Sequence, residues 1–176
     1  MNYAEIKPLD IANGPGIRTS LWVSGCRNRC PGCFNSETWD FKYGQEFTGE
    51  TLKELLNLID NPNIRGLSIL GGEPLDPKNI EAVTEICHTL KFLRPNKDIW
   101  LWTGYDFIKD DLIKHPIMRY IDVLVDGRFE EDKKDLRLRY RGSWNQRVID
   151  VSKSLERGCA IRWEKPLVYL EGAWRV

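Results

Sequence analysis

No sign of charge dominates this chain: 26 Lys and Arg residues are balanced by 26 Asp and Glu. A generally basic nucleic-acid binder and an acidic disordered tail are therefore excluded as descriptions of the whole chain, and no nucleic-acid partner is expected. There is no run of about 18 apolar residues, so neither a membrane span nor a membrane partner is expected. The first seven residues, Met1 to Lys7, lack the apolar core of a secretory signal. Histidine is scarce, with only His88 and His115. Cysteines number five, an odd count, and Cys26, Cys30 and Cys33 fall close together, which makes a poor disulfide framework. With no signal, this usage points to a reducing compartment and a cytoplasmic location, where clustered thiols serve metal or redox chemistry. Internal repeats, low-complexity stretches and linkers are also missing.

What remains is a chain of 176 residues, 41% apolar and 11% aromatic. That length suits about one domain and can bury roughly 70% of its unfolded surface. Arg18 to Ser24 is a short β-rich run closed by Gly25. Thr51-Leu52-Lys53-Glu54 has the form of a capping box, followed by Leu55, Leu56 and Ile59 at helical spacing, which predicts a helix over 51–60. Gly66 to Leu70 reads as a buried strand closed by Gly71-Gly72. Pro77 to Leu93 reads as a long helix with Ile80, Val83, Cys87 and Leu90 on one face. Asp98 to Thr103 is a strand, Asp106 to Lys114 a helix stopping before Pro116, and Ile121 to Val125 a strand ending at Asp126-Gly127. A charged run follows over 128–141, read first as a solvated face, with a docking surface as the alternative because the run follows a motif on the edge where ligands bind. Arg147 to Val151 is a last strand, and 160–176 a terminal hairpin or irregular arm.

Strands alternating with helices imply βαβ units with right-handed crossovers and a parallel sheet. In such a sheet the strand C-termini share one edge, where ligands bind. Four chemically suggestive stretches each follow a predicted strand: Cys26–Cys33, Gly71–Pro74, Thr103–Tyr105 and Asp126–Phe129. The topology places all four around one site.

Cys26-Arg27-Asn28-Arg29-Cys30-Pro31-Gly32-Cys33 has the form C-x3-C-x2-C. Three thiolates on one loop can hold a metal or an iron–sulfur cluster. A structural zinc site wants four ligands, usually from two C-x2-C-like pairs. Cys87 is distant on a helix face, although a fourth ligand could still arrive in three dimensions. A cubane held by three cysteines leaves one iron open to a small molecule.

This loop after the first strand resembles the signature of the radical S-adenosylmethionine enzymes, and Gly71-Gly72-Glu73-Pro74 resembles their GGEP turn after the second strand. Asn13-Gly14-Pro15-Gly16-Ile17-Arg18-Thr19 looks like the GPG-x-R-T stretch of glycyl-radical-enzyme activases. Cys30-Pro31-Gly32-Cys33, Trp102-Thr103-Gly104-Tyr105, Val125-Asp126-Gly127-Arg128-Phe129 and Arg141-Gly142-Ser143-Trp144-Asn145-Gln146 together resemble one subgroup, the activators of anaerobic (class III) ribonucleoside-triphosphate reductase. The resemblance covers roughly residues 1–150. It implies a radical-SAM domain over 1–152 and a C-terminal extension over 153–176 with no role assigned.

The resemblance implies an α/β fold, a partial open (β/α) barrel of the radical-SAM type with parallel strands and outer helices. A complete barrel takes about 250 residues. A shorter one leaves a lateral mouth that could admit a glycine loop of a large protein. It implies a [4Fe-4S] cluster ligated by Cys26, Cys30 and Cys33, with S-adenosylmethionine chelating the remaining iron. Gly32, Cys33 and Phe34 would lie against this cofactor, with Phe34 after the third cysteine where many relatives have an aromatic before it. Gly71, Gly72, Glu73 and Pro74 would hold its methionine end, and Thr103, Gly104 and Asp126 its adenosine side. One electron breaks the carbon–sulfur bond, giving methionine and a 5′-deoxyadenosyl radical, which takes hydrogen from a glycine of the large reductase subunit. With no second cysteine cluster, the electron would come from an external one-electron donor such as reduced flavodoxin.

Other residues have structural readings. Cys87 is a small buried hydrophobe, His115 a helix-end residue, and Trp22 and Trp100 core residues. Asp126 also suits a turn carboxylate before Gly127. Two other functions fit part of the pattern. One is a small radical-SAM enzyme on a small molecule, of the deazapurine synthase type; the other is a zinc-bound interaction module.

Overall fold

Alternation within the strands decides which side of the sheet each residue faces. The computed structural model describes residues 1–164. Its strands are β1 (Asn2–Asp10), β2 (Ile17–Val23), β3 (Gln45–Glu46), β4 (Ile64–Gly71), β5 (Asp98–Trp102), β6 (Val123–Asp126) and β7 (Arg147–Asp150). Its helices are α1 (Gly49–Ile59), α2 (Ile80–Leu93) and α3 (Val151–Arg157). The seven strands form one sheet in the order β3-β1-β2-β4-β5-β6-β7. The middle pairs β2–β4, β4–β5 and β5–β6 are parallel, and the outer pairs are antiparallel. The sheet is open, with β3 and β7 at its two ends.

On β5, Ile99 and Leu101 point into the larger core and Trp100 into a second cluster on the opposite face, as period-2 geometry requires. Leu124 and its neighbours Val123 and Val125 divide in the same way. The larger core is completed by Leu55 and Ile59 of α1 and by Val83, Ile86, Cys87 and Leu90 of α2. Each such side chain, fully buried, contributes about 1.5–3 kcal/mol. Cys87 is buried among them, as its helix face predicts.

Arg18 joins three strands beneath the sheet's centre. Its guanidinium is wholly buried and donates to Ser68 Oγ (2.7 Å) and to the Leu67 and Asp98 carbonyls, while pairing with the Asp98 carboxylate (2.5 Å). A Cβ on Gly14 would lie 2.8 Å from Arg18 Cδ. The space this side chain needs accounts for Gly14, whereas Gly16 (φ 78°) lies against Arg65 instead.

Several expectations are corrected. β1 and β3 were not expected; β1 is partly exposed and carries Pro8, which has no N–H, between the register points Lys7 and Asp10 where pairing slips. Helix α1 begins earlier than predicted because Thr48 is its cap: Thr48 Oγ1 accepts from the Thr51 amide and Thr51 Oγ1 accepts from the Thr48 amide, both at 3.3 Å. Thr51 thus takes the role that the predicted box gave to Glu54. No α-helix covers 106–114. The Asp106 carboxylate takes the amides of Ile108 and Lys109 (2.9 Å each), an alternative to helical pairing, and Asp111 is left-handed with φ 56°. His115 is a helix-end residue, as read: its amide donates to the Leu112 carbonyl (2.9 Å) and closes a 3-10 turn over Leu112–Lys114, and its Nδ1 accepts from the Ile117 amide to open another over Pro116–Tyr120. The last predicted strand stops at Asp150, whose carboxylate accepts from the Lys153 amide and starts the unpredicted α3, with Gly158 (φ 67°) closing it. Of the arm expected over 160–176, Arg162 bridges to Ile149 and residues 165–176 lie outside the described residues.

Candidate cofactor site

The four parallel strands deliver their C-terminal ends to one edge, and the chain leaving each end meets the others there. From β2, Ser24 and Gly25 lead to the cysteine loop. The Gly25 and Cys26 amides donate to the Thr38 and Trp39 carbonyls (2.7 and 3.1 Å), closing the base of the loop. From β4, the Gly72 amide donates to the Val23 carbonyl (2.7 Å) and the Glu73 amide to the Gly25 carbonyl (2.8 Å). Side chains cannot be accommodated here. Gly71 has φ 113° and its Cβ would lie 2.6 Å from the Val23 oxygen; a Cβ on Gly72 would lie 2.6 Å from the Gly25 oxygen. Asn79, buried before α2, ties the same turn by donating to the Ser24 and Glu73 carbonyls.

Glu73 is the hub. Its carboxylate is 1% exposed. Oε1 accepts from Thr103 Oγ1 (2.7 Å) and the Leu75 amide (3.0 Å); Oε2 accepts from the Gly104 amide (2.7 Å) and Asn28 Nδ2 (2.8 Å). Burial pushes its carboxyl above the usual range, and these four donors pull it back only in part. One side chain thereby fixes the cysteine loop, the Gly-Gly turn and the end of β5. Asn28 was not singled out from sequence; only its place between two cysteines could have drawn attention to it. Arg27 in the same loop binds Asp76 at 2.6 and 2.7 Å.

These ends surround a cavity of about 470 Å³. Cys26, Cys30, Gly32, Cys33 and Phe34 line one part of it, with Gly71, Gly72, Glu73, Thr103 and Gly104. Pro74 and Asp126 do not line it. The Asp126 carboxylate is buried, accepting from the Phe107 amide (2.8 Å) and pairing with Arg147, as its turn reading allows. Phe34 is 85% exposed and meets Trp22 edge-on at 6.0 Å. Trp22 is half-buried and lines the cavity instead of entering the core, because it alternates away from Leu21 and Val23. Trp100 is buried as expected, in the cluster on that same face.

Sequence reasoning also missed the far wall. Part of the charged run read as a solvated face carries Lys134, Asp135, Leu136, Leu138, Tyr140 and Arg141 into the cavity lining. The motif over 141–146 holds this wall. Gln146 accepts from the Gly142 amide (2.8 Å) and donates to the Gly127 carbonyl (2.9 Å), and Asn145 donates to the Arg128 carbonyl (2.7 Å). A Cβ on Gly32 (φ 67°) would lie 2.5 Å from the Glu131 carboxylate, so this run also presses on the cysteine loop.

The donor set fits an iron–sulfur cluster. All three loop cysteines are free thiols on one cavity. Burial pushes the Cys26 and Cys30 thiols up, so the thiolate form calls for a positive group such as iron beside it. Among the described residues, no three His, Cys, Asp or Glu side chains gather as a site for a single metal ion. No helix among those residues is long and apolar enough to cross a membrane.

Comparison with known proteins gives the same reading. The family described as a 4Fe-4S single cluster domain matches residues 12–149. The anaerobic ribonucleoside-triphosphate reductase-activating protein of Enterobacteria phage T4 is 44% identical over 148 residues, 84% of this chain and 93% of its own length. The protein of that name from Vibrio cholerae serotype O1 is 43% identical over 148 residues, covering 83% and 96% of the two chains. That from Escherichia coli K12 is 42% identical over 150 residues, covering 84% and 97%. At 42–44% identity over more than four-fifths of its length, and with the 4Fe-4S single cluster domain matched over residues 12–149, this chain belongs to the family of anaerobic ribonucleoside-triphosphate reductase-activating proteins.

Proposed function

We propose that this protein activates anaerobic ribonucleoside-triphosphate reductase by reductive cleavage of S-adenosylmethionine and abstraction of hydrogen from a glycine of the reductase, leaving a glycyl radical there. Cys26, Cys30 and Cys33 would hold a [4Fe-4S] cluster, and cluster and S-adenosylmethionine, when bound, supply the one-electron reduction and the hydrogen-abstracting radical. The carrying observation is that three free thiols share one cavity with Gly71, Gly72 and Glu73 at the common end of the parallel strands.

The chain's own residues bind, orient and exclude water. Gly71 and Gly72 leave backbone exposed where a ligand's methionine end would lie, with Pro74 rigidifying the turn behind them. Glu73 holds Thr103 and Gly104, on the adenosine side, in fixed relation to the cysteine loop. Gly32, Cys33 and Phe34 would lie against the bound cofactor. Asp126 contributes at one remove, by fixing Arg147 and the Phe107 amide. Trp22, Trp102 and Tyr140 line the cavity with aromatic surface, which keeps water from a reactive site. We read the open sheet, with helices on one face and the cavity on the other, as a partial (β/α) barrel, and residues 1–152 as its domain with 153–176 as an extension. The electron would come from an external donor such as reduced flavodoxin, in the cytoplasm.

The test is anaerobic. The protein is reconstituted with iron and sulfide and mixed with S-adenosylmethionine, reductant and the reductase. The expected result is an organic-radical EPR signal on the reductase, abolished in Cys30→Ala together with most bound iron. A Cys30→Ala variant that keeps the signal refutes the ligand assignment. Formation of 5′-deoxyadenosine with small molecules but no radical on the reductase refutes the protein substrate.

A further inference from the structure

Residues 136–141 run Leu-Arg-Leu-Arg-Tyr-Arg. Leu136, Leu138 and Tyr140 line the cofactor cavity. Behind them lies a second concavity of about 260 Å³, lined by Arg139, Tyr140, Arg141, Val148, Arg162 and Trp163. Three of these six residues are arginines and none is acidic. Arg137 is paired with Asp135 (2.8 Å) and Arg147 with Asp126 and Asp106. Among the described residues, no ion pair involves Arg139, Arg141 or Arg162. The Arg141 guanidinium donates to the Gln146 carbonyl and lies over the Trp144 ring at 5.5 Å, whereas Arg139 and Arg162 are exposed, so the hollow presents positive charge with no carboxylate in its lining.

We infer that this arginine-lined groove docks an acidic segment of the reductase. The inference rests on the proposed function, in which the substrate is a protein. Guanidinium forks match carboxylates in pairs, so Asp and Glu side chains complement the groove. Position supplies a second argument. Tyr140 and Arg141 line both cavities, so a protein presenting a glycine at the first lies against the second. Leu136 (90% exposed) and Trp144 (58% exposed), on the same segment, offer apolar contacts beside the charges. The Trp163 ring meets Trp100 at 4.9 Å and Tyr140 at 6.2 Å, so the groove's far wall is packed against the sheet. Arg162 and Trp163 also lie beyond residues 12–149, the part matched by the 4Fe-4S family.

The test measures affinity of the full-length reconstituted protein for the reductase at several salt concentrations. Neither Arg139 nor Arg162 lines the cofactor cavity. The double variant Arg139→Glu/Arg162→Glu is expected to weaken binding by about tenfold or more and to flatten its salt dependence. Reductive cleavage of S-adenosylmethionine without the reductase is expected to be unchanged. If the double variant melts lower than the parent, Arg139→Ala/Arg162→Ala decides the matter, with a smaller loss in the same direction. Parental affinity and salt dependence in the folded variant overturn the inference. So does stoichiometric binding of sodium tripolyphosphate that leaves reductase affinity unaltered, which would make the groove a small-anion site. A parent protein that forms no radical on the reductase refutes the proposed function instead.

Discussion

Replacing Arg18 by lysine keeps the charge and removes the shape. The guanidinium makes four contacts, to Ser68 Oγ (2.7 Å), the Leu67 carbonyl (2.9 Å), the Asp98 carbonyl (3.3 Å) and the Asp98 carboxylate (2.5 Å). These partners belong to β4 and β5, whereas Arg18 belongs to β2, so one side chain clamps the three central strands. A lysine presents all its donors from a single nitrogen and cannot span Ser68 and Asp98 together. At least two contacts are lost. Each hydrogen bond from a charged donor is worth about 1.5–3 kcal/mol, so the cost is about 3–6 kcal/mol. Loss of stacking on Trp100, 5.6 Å from the guanidinium carbon, adds about 0.5–1 kcal/mol. At about 2–4 °C per kcal/mol, the melting temperature falls by about 6 °C at the least. Urea unfolding of the cluster-free protein measures this, with midpoint lowered and slope unchanged. A variant within about 0.5 kcal/mol of the parent would refute the clamp, because substitutions that break no buried contact stay within that range.

Three further outcomes follow from the same geometry. Asp10 accepts from the Ala12 amide, Asn13 Nδ2 and Ser20 Oγ (2.8, 2.6 and 2.6 Å); although burial raises its carboxyl, these bonds hold it below the ordinary value. Its stabilisation is complete above the unfolded carboxylate pKa and is lost as pH falls through the lower folded value. Asp10→Asn should therefore cost about 1 kcal/mol at neutral pH and lose less than the parent on acidification; parallel pH–stability curves would contradict this. Burial pushes the Cys87 thiol up to about 12, whereas Cys159 is exposed, so iodoacetamide on the folded protein should label Cys159 and spare Cys87 at mildly alkaline pH. Mass spectrometry finding equal labelling would overturn the assignment of Cys87 to the core. Gly71→Ala forces a side chain into a left-handed backbone against the Val23 oxygen, with an expected loss of about 1–3 kcal/mol and of affinity for S-adenosylmethionine; a fully stable variant would show that the turn relaxes.

Read alone, the sequence determined what depends on neighbours along the chain. The cysteine spacing, the Gly-Gly-Glu-Pro turn, the apolar faces of α1 and α2, and the four parallel strands that bring their ends to one edge are all local patterns, and hydrophobic period and turn chemistry suffice to read them. The outer strand β1 escaped because it is mostly exposed or half-buried and carries Pro8, with too little alternation to betray a partner, and β3 because it is only two residues long. The pattern over 106–114 forms no α-helix because a side chain, Asp106, competes for the amides that a helix would use. Only tertiary structure decided the rest of the site. Glu73 finds its partners 31 and 45 residues away at Gly104 and Asn28, and no periodicity encodes such pairings. The charged run over 128–141 looked like a solvated face because charge is the usual mark of exposure. Instead Leu136, Leu138 and Tyr140 line the cavity and Arg139 lines the groove behind it, with Tyr140 and Arg141 shared between the two and Tyr140 packed against Trp100 and Trp163.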